Sequence, residues 1–191
     1  MTLGALSRWP SLVAPALGVL AAALIETALV VRAASAIDHG VPLRPHMKTA
    51  KSMDVARMAI QGQPGGITVS TLAEAEYFAR HGITDILYAV GITPAKLDRV
   101  AALRSAGADL LVITDDPDTA TAIAAHPAGL RALAEVDSGE HRGGTAPSDA
   151  RLLEVAARLG PALAGVLTHG GHSYAGRTPA DMAAVAEQER A

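Results

Sequence analysis

The sequence predicts an α/β fold, a (β/α)8 barrel of the TIM type that is incomplete, with about six or seven of its strands present. Short apolar runs alternate with helical patterns roughly every 20 to 30 residues, the rhythm of repeated βα units and a parallel sheet. Polar and ionisable residues gather at the C-terminal ends of these runs: Lys48, Ser70, Thr114 with Asp115, Asp137 with Arg142, and His169 with His172. In a barrel that is the face on which sites are built. Periodicity alone does not separate a barrel from a doubly wound sheet, but no G-x-G-x-x-G follows the first strand, so the dinucleotide-binding form of the open sheet lacks its main support.

Taken in order, residues 1–40 are a divergent apolar segment. Residues 11–31 carry one charge, Glu26, and a candidate strand lies at 19–24. Pro15 and Gly18 interrupt the run, and Arg32 and Asp38 continue a helical pattern beyond it. A buried strand and helix is therefore preferred to a targeting or membrane segment, which only the apolar length supports. The strands that follow are PLRPHM (42–47), GITVS (66–70), DILYAV (85–90), DLLVIT (109–114), RALAEVD (131–137) and LAGVLTH (163–169). Thr71 with Glu74 forms a capping box, and Thr93 and Thr178 precede a proline at the first helical position. The chain stops inside a helical pattern, at Gln188 to Ala191, and is expected to be truncated before the last strands.

Composition narrows the chemistry. A chain of 191 residues suits one domain, and with half the residues apolar but only 3% aromatic, its core must be built from Ala, Val, Leu and Ile. Sixteen basic residues against 19 acidic ones, with no Lys/Arg run, exclude a nucleic-acid footprint. Without cysteine there is no disulfide, thiolate site or cysteine nucleophile, which agrees with a cytoplasmic protein. No membrane partner is expected.

Three clusters can carry chemistry. Arg44-Pro-His46-Met-Lys48-Thr-Ala-Lys51-Ser52 places an amine among other cations, which suits a Schiff-base or phosphate-binding lysine; a solvated loop explains the same residues equally well. Glu135-Val-Asp137-Ser-Gly139-Glu-His141-Arg142-Gly-Gly144 offers a guanidinium fork on a glycine-flanked turn, or simply an exposed turn with a surface salt bridge. Thr168-His169-Gly-Gly-His172-Ser173-Tyr174 sets two imidazoles beside a phenol. With no Cys or carboxylate adjacent, acid/base work or ring contact is preferred to metal binding.

Together, RPHMKTAKS, GITVSTLAEAEYFARHGITDILYAVGI, EVDSGEHRGG and LTHGGHSYAG, in this order, resemble the family of D-threonine aldolases and D-serine dehydratases, whose barrel is shared with the N-terminal domain of alanine racemases. The resemblance covers residues 41–191 and implies a pyridoxal 5'-phosphate (PLP) barrel domain there. It implies that Lys48 is the Schiff-base lysine and moves a proton at the substrate α-carbon, that Arg142 faces the phenolic oxygen of PLP, that His169 and Tyr174 line the ring and substrate side, and that His46 and Arg44 brace the lysine strand. The expected activity is that of a lyase on D-amino acids, aldolase or dehydratase; a non-catalytic PLP-binding module, an alanine racemase-like enzyme and a membrane-tethered or secreted fragment are the alternatives. Members of that family are about twice as long and form homodimers in full-length form. Their C-terminal β-rich domain carries a divalent metal. That domain, the metal ligands and the last loops of the phosphate cup are expected to lie outside these 191 residues. An unpaired sheet edge is a further expectation, with the aggregation that follows from it.

Overall fold

The computed structural model describes residues 42–63 and 66–190. The apolar segment at 11–31 and the candidate strand at 19–24 lie outside them. No helix among the described residues is long and apolar enough to cross a membrane. The chain divides into two compact units, Met1–Ile67 and Thr68–Ala191.

In the first unit, residues 42–45 have no regular structure, His46 makes a single β-bridge, and residues 47–50 form a turn closed by the Lys51 N–H donating to the Met47 carbonyl at 3.0 Å. The strand expected over 42–47 is thus reduced to one bridge. Pro42 and Pro45 have no N–H to give to a ladder, which explains the loss. Helix α1 (Met53–Ile60) follows, with Met53, Ala56 and Ala59 as a buried stripe at three-residue spacing. The Gln63 side chain ties Leu43 to the end of α1, donating to the Ala59 carbonyl and accepting from the Leu43 N–H, both at 2.9 Å.

The second unit is built on a sheet of β1 (Ile67–Val69), β2 (Asp85–Gly91), β3 (Asp109–Thr114), β4 (Ala132–Val136) and β5 (Leu163–Thr168). Five of the six strands expected from residue 42 onward are present. Their spatial order is their chain order, and β2/β3, β3/β4 and β4/β5 pair in parallel. Periodicity had left two architectures open. A doubly wound sheet reverses its strand order at a switch point, whereas a barrel adds each strand beside the last, so this order selects a barrel that is incomplete among the described residues.

Helices α2 (Leu72–Arg80), α3 (Leu97–Ser105), α4 (Pro117–Ala125) and α5 (Ala150–Leu159) alternate with the strands, and α6 (Pro179–Arg190) follows β5. Their starts are chemically set. The Glu74 N–H donates to Thr71 Oγ1 at 3.1 Å, and the Glu74 carboxylate accepts from the Ser70 N–H at 2.9 Å, one residue before the usual capping-box partner. Asp116 and Asp149 cap α4 and α5, and Thr178 caps the Asp181 N–H of α6. Thr93 instead opens a 3-10 turn at Pro94–Lys96 and makes no side-chain cap.

The core lies against the centre of the sheet. Ile86, Leu110, Val112 and Ile113 are at most 1% exposed, and Phe78, Val100 and Ile123 from the helices are as fully buried. Burial then falls away towards β5, where no residue is buried and Val166 is 68% exposed.

Candidate active site

The C-terminal ends of β3, β4 and β5 bring two of the three sequence clusters together. The parallel register sets Glu135 beside Leu167 and Val136 beside Thr168, so the loops leaving β4 and β5 start from adjacent points. The loop after β4 is pinched at its neck. Thr145, which is buried, bridges Val136; its N–H donates to the Glu135 carbonyl and its carbonyl accepts from the Asp137 N–H, each at 3.0 Å. Gly144 completes the neck at φ +89°, where an added Cβ would lie 2.7 Å from the Asp137 nitrogen. Its N–H donates to the Asp115 carboxylate at 2.9 Å, tying the loop to the end of β3.

Asp137 organises the loop from within. Its Oδ1 accepts from the N–H groups of Gly139 (2.9 Å) and His141 (3.0 Å), and its Oδ2 lies 2.7 Å from His141 Nδ1. The two backbone donors, His141 first, and then the imidazole stabilise the charged form and hold the carboxyl down at about 2. His141 itself sits at φ +58°, which turns the chain so that Arg142 follows.

Arg142, His169 and the intervening Glu140 form one group. The Glu140 carboxylate is hydrogen-bonded to His169 Nδ1, and its other oxygen is 3.8 Å from Arg142 Nη1. Burial alone would raise the Glu140 carboxyl. The His169 hydrogen bond, the charges of His169 and Arg142, and the Gly171 N–H outweigh burial and hold it below its ordinary value. Glu135, at the end of β4, goes the other way: burial pushes it up, and the Asp115 charge adds to that against the opposing pull of Arg142 and His169.

After β5, residues Gly171–Ala175 form a 3-10 turn that presents the Tyr174 ring edge-on to His169, 6.4 Å between centroids. Tyr174 is 74% exposed. Both His172 ring nitrogens are buried without a hydrogen-bond partner among the described residues. Such orphaned nitrogens are uncommon in a native fold and mark a place for a missing partner. The end of α6 reaches this region too, with Ser138 Oγ donating to Glu189 at 3.4 Å.

Lys48, Arg44 and His46 belong to the first unit. Lys48 is exposed, and its N–H donates to His46 Nδ1 at 3.2 Å; Arg44 Nη1 donates to the Ile67 carbonyl at 3.5 Å. His46 therefore braces the lysine turn rather than a lysine strand. No cluster of three or more His, Asp or Glu groups suited to a metal ion occurs among the described residues. Sequence reasoning gave no role to Glu140, Glu135 or Asp115, although all three stand at the ends of strands or in a motif it had marked.

Comparison with known proteins places the chain in a family. The chain is 45% identical over 160 residues to D-threo-3-hydroxyaspartate dehydratase from a Delftia species, covering 80% of this chain and 42% of that protein. The solved structure of that dehydratase superposes with a TM-score of 0.81 at 40% identity, over 86% of this chain and 46% of the other. A 3-hydroxy-D-aspartate aldolase from Paracoccus denitrificans is 34% identical over 148 residues, which is 74% of this chain and 38% of the relative. The structure of D-threonine aldolase from Filomicrobium marinum gives a TM-score of 0.74 at 28% identity, over 85% of this chain and 46% of that one. The chain spans less than half the length of each of these proteins. Residues 22–190 match the family model described as alanine racemase, N-terminal domain, and the chain belongs to that family.

Proposed function

We propose that this chain is the PLP-binding barrel part of a lyase acting on β-hydroxy D-amino acids, with Lys48 as the Schiff-base lysine. The observation that carries the reading is the meeting of Arg142, Glu140 and His169 at the ends of β4 and β5, in a family member whose relatives are dehydratases and aldolases of such substrates. The donor set fits PLP: a guanidinium for the phenolic oxygen, an imidazole and a phenol for the ring face, and the unpartnered nitrogens of His172 beside them. PLP, when bound, supplies an electron sink for the pair released at the substrate α-carbon.

The rest falls to the protein. The Arg142 fork offers N–H groups to an oxyanion, and Glu140 places a carboxylate 3.8 Å from its Nη1. His169 and Tyr174 orient the bond to be broken, while Lys48 holds or moves the proton at the α-carbon. His46 holds the backbone of the lysine turn, and Arg44 ties the segment before it to the Ile67 carbonyl. Nothing in these residues separates cleavage of Cα–Cβ from loss of the β-hydroxyl.

The test is direct. The 191-residue chain titrated with PLP is expected to turn yellow, lose the visible band on borohydride treatment, and carry the reduced label on Lys48 by peptide mass mapping. Lys48→Ala is expected to abolish the label. A folded chain that stays colourless at saturating PLP overturns the proposal. Supply of a C-terminal β-domain in trans, followed by assay on 3-hydroxy-D-aspartate, D-threonine and D-serine, then separates aldehyde from keto-acid products.

A further inference from the structure

The geometry points to Glu140 as the positioning residue of this site: its carboxylate decides which nitrogen of His169 is turned towards a ligand, and it tethers Arg142 to the same imidazole. That His169 faces a ligand rests on the reading above; the hydrogen bond from His169 does not.

An ionised carboxylate only accepts hydrogen bonds, and Glu140 is held in its ionised form by its surroundings, so His169 Nδ1 must carry the proton. Whenever the ring is neutral, Nε2 is then left as the lone-pair nitrogen. A histidine side chain free in water prefers the opposite tautomer. Glu140 therefore imposes a choice that the imidazole would not make unaided, as the partner of an imidazole does wherever the second nitrogen has work to do.

Two further observations distinguish this from an ordinary surface ion pair, which contributes little. The side chains of Glu140 and His169 are only 22% and 29% exposed. The seat of the carboxylate is also built for it: residue 171 is glycine, its N–H points at Glu140, and a Cβ there would collide with Glu140 Oε1. The pair spans two loops, so one carboxylate aligns a cation from the loop after β4 with an imidazole from the loop after β5.

Long-range nitrogen–proton NMR of the 15N-labelled chain, at a pH where imidazoles are neutral, reads the tautomer without any cofactor. His169 is expected as the Nδ1–H form in the unaltered chain, and as the Nε2–H form in Glu140→Ala. PLP affinity, followed by the visible band, is expected to fall roughly tenfold in Glu140→Ala, as loss of a charge-assisted hydrogen bond implies. Glu140→Gln keeps an accepting oxygen and is expected to retain the Nδ1–H form with reduced affinity. If Glu140→Ala does not fold, the tautomer in Gly171→Ala, which displaces the carboxylate, supplies the same comparison. An Nε2–H ring in the unaltered chain, or a tautomer that ignores these changes, overturns the assignment. Failure of the unaltered chain to take up PLP overturns the cofactor reading and the ligand-facing role of His169, while the tautomer result still decides whether Glu140 sets the ring.

Discussion

Asp137 shows how a single side chain can hold a loop in a chosen shape. Two backbone N–H groups and an imidazole converge on it, and its carboxyl is held at about 2. Because the folded value lies below the ordinary one, near 3.8, the loop gains stability from Asp137 above pH of about 4 and loses it as pH falls towards 2. Protection of the Gly139 and His141 amides, measured against their intrinsic exchange rates, is expected to hold down to pH of about 4 and to fall below it; Asp137→Ala is expected to lack that protection throughout. Gly144 is the other fixed point, and Gly144→Ala is expected to destabilise the fold by roughly 1–3 kcal/mol in urea unfolding, since a Cβ at positive φ meets backbone. At this scale the sequence was readable only within each loop. Arg142 and His169 stood out because each follows a strand and adjoins glycines. Asp115 stood out only by its place at a strand end and Glu140 only as part of a motif; each meets a partner 29 residues away, and no local pattern encodes that pairing.

Among the elements, helix starts were legible where the side-chain chemistry is local. Thr71 reaches its N–H, so Thr71→Ala is expected to cost about 1 kcal/mol of stability by chemical denaturation. Thr93 looks like an equivalent cap in sequence, yet its side chain makes no cap bond, and Thr93→Ala is expected to change stability by less than about 0.5 kcal/mol. A threonine before proline marks a turn without guaranteeing a cap. Strands were legible where apolar runs could pair on both sides, as in β2 and β3. The 42–47 run failed as a strand because alternating apolar residues say nothing of the missing N–H groups of its two prolines.

For the sheet as a whole, strand order resolved what periodicity could not, since only the folded arrangement reveals that each strand lies beside its predecessor. The same order creates a hazard at β5. Its neighbour on one side is β4, with Val166 paired to Ala134, and no further strand pairs its other side among the described residues. Val166 is 68% exposed there, on the last strand of the sheet among the described residues, an edge that can template another chain. Concentration-dependent self-association is therefore expected in solution. Val166→Lys places a charge on the edge without touching the buried centre at Ile86 and Leu110, so it is expected to reduce the associated fraction in sedimentation velocity while leaving the unfolding midpoint nearly unchanged. Association that persists undiminished in Val166→Lys would place the sticky surface elsewhere, with exposed Leu153 on α5 the next position to alter.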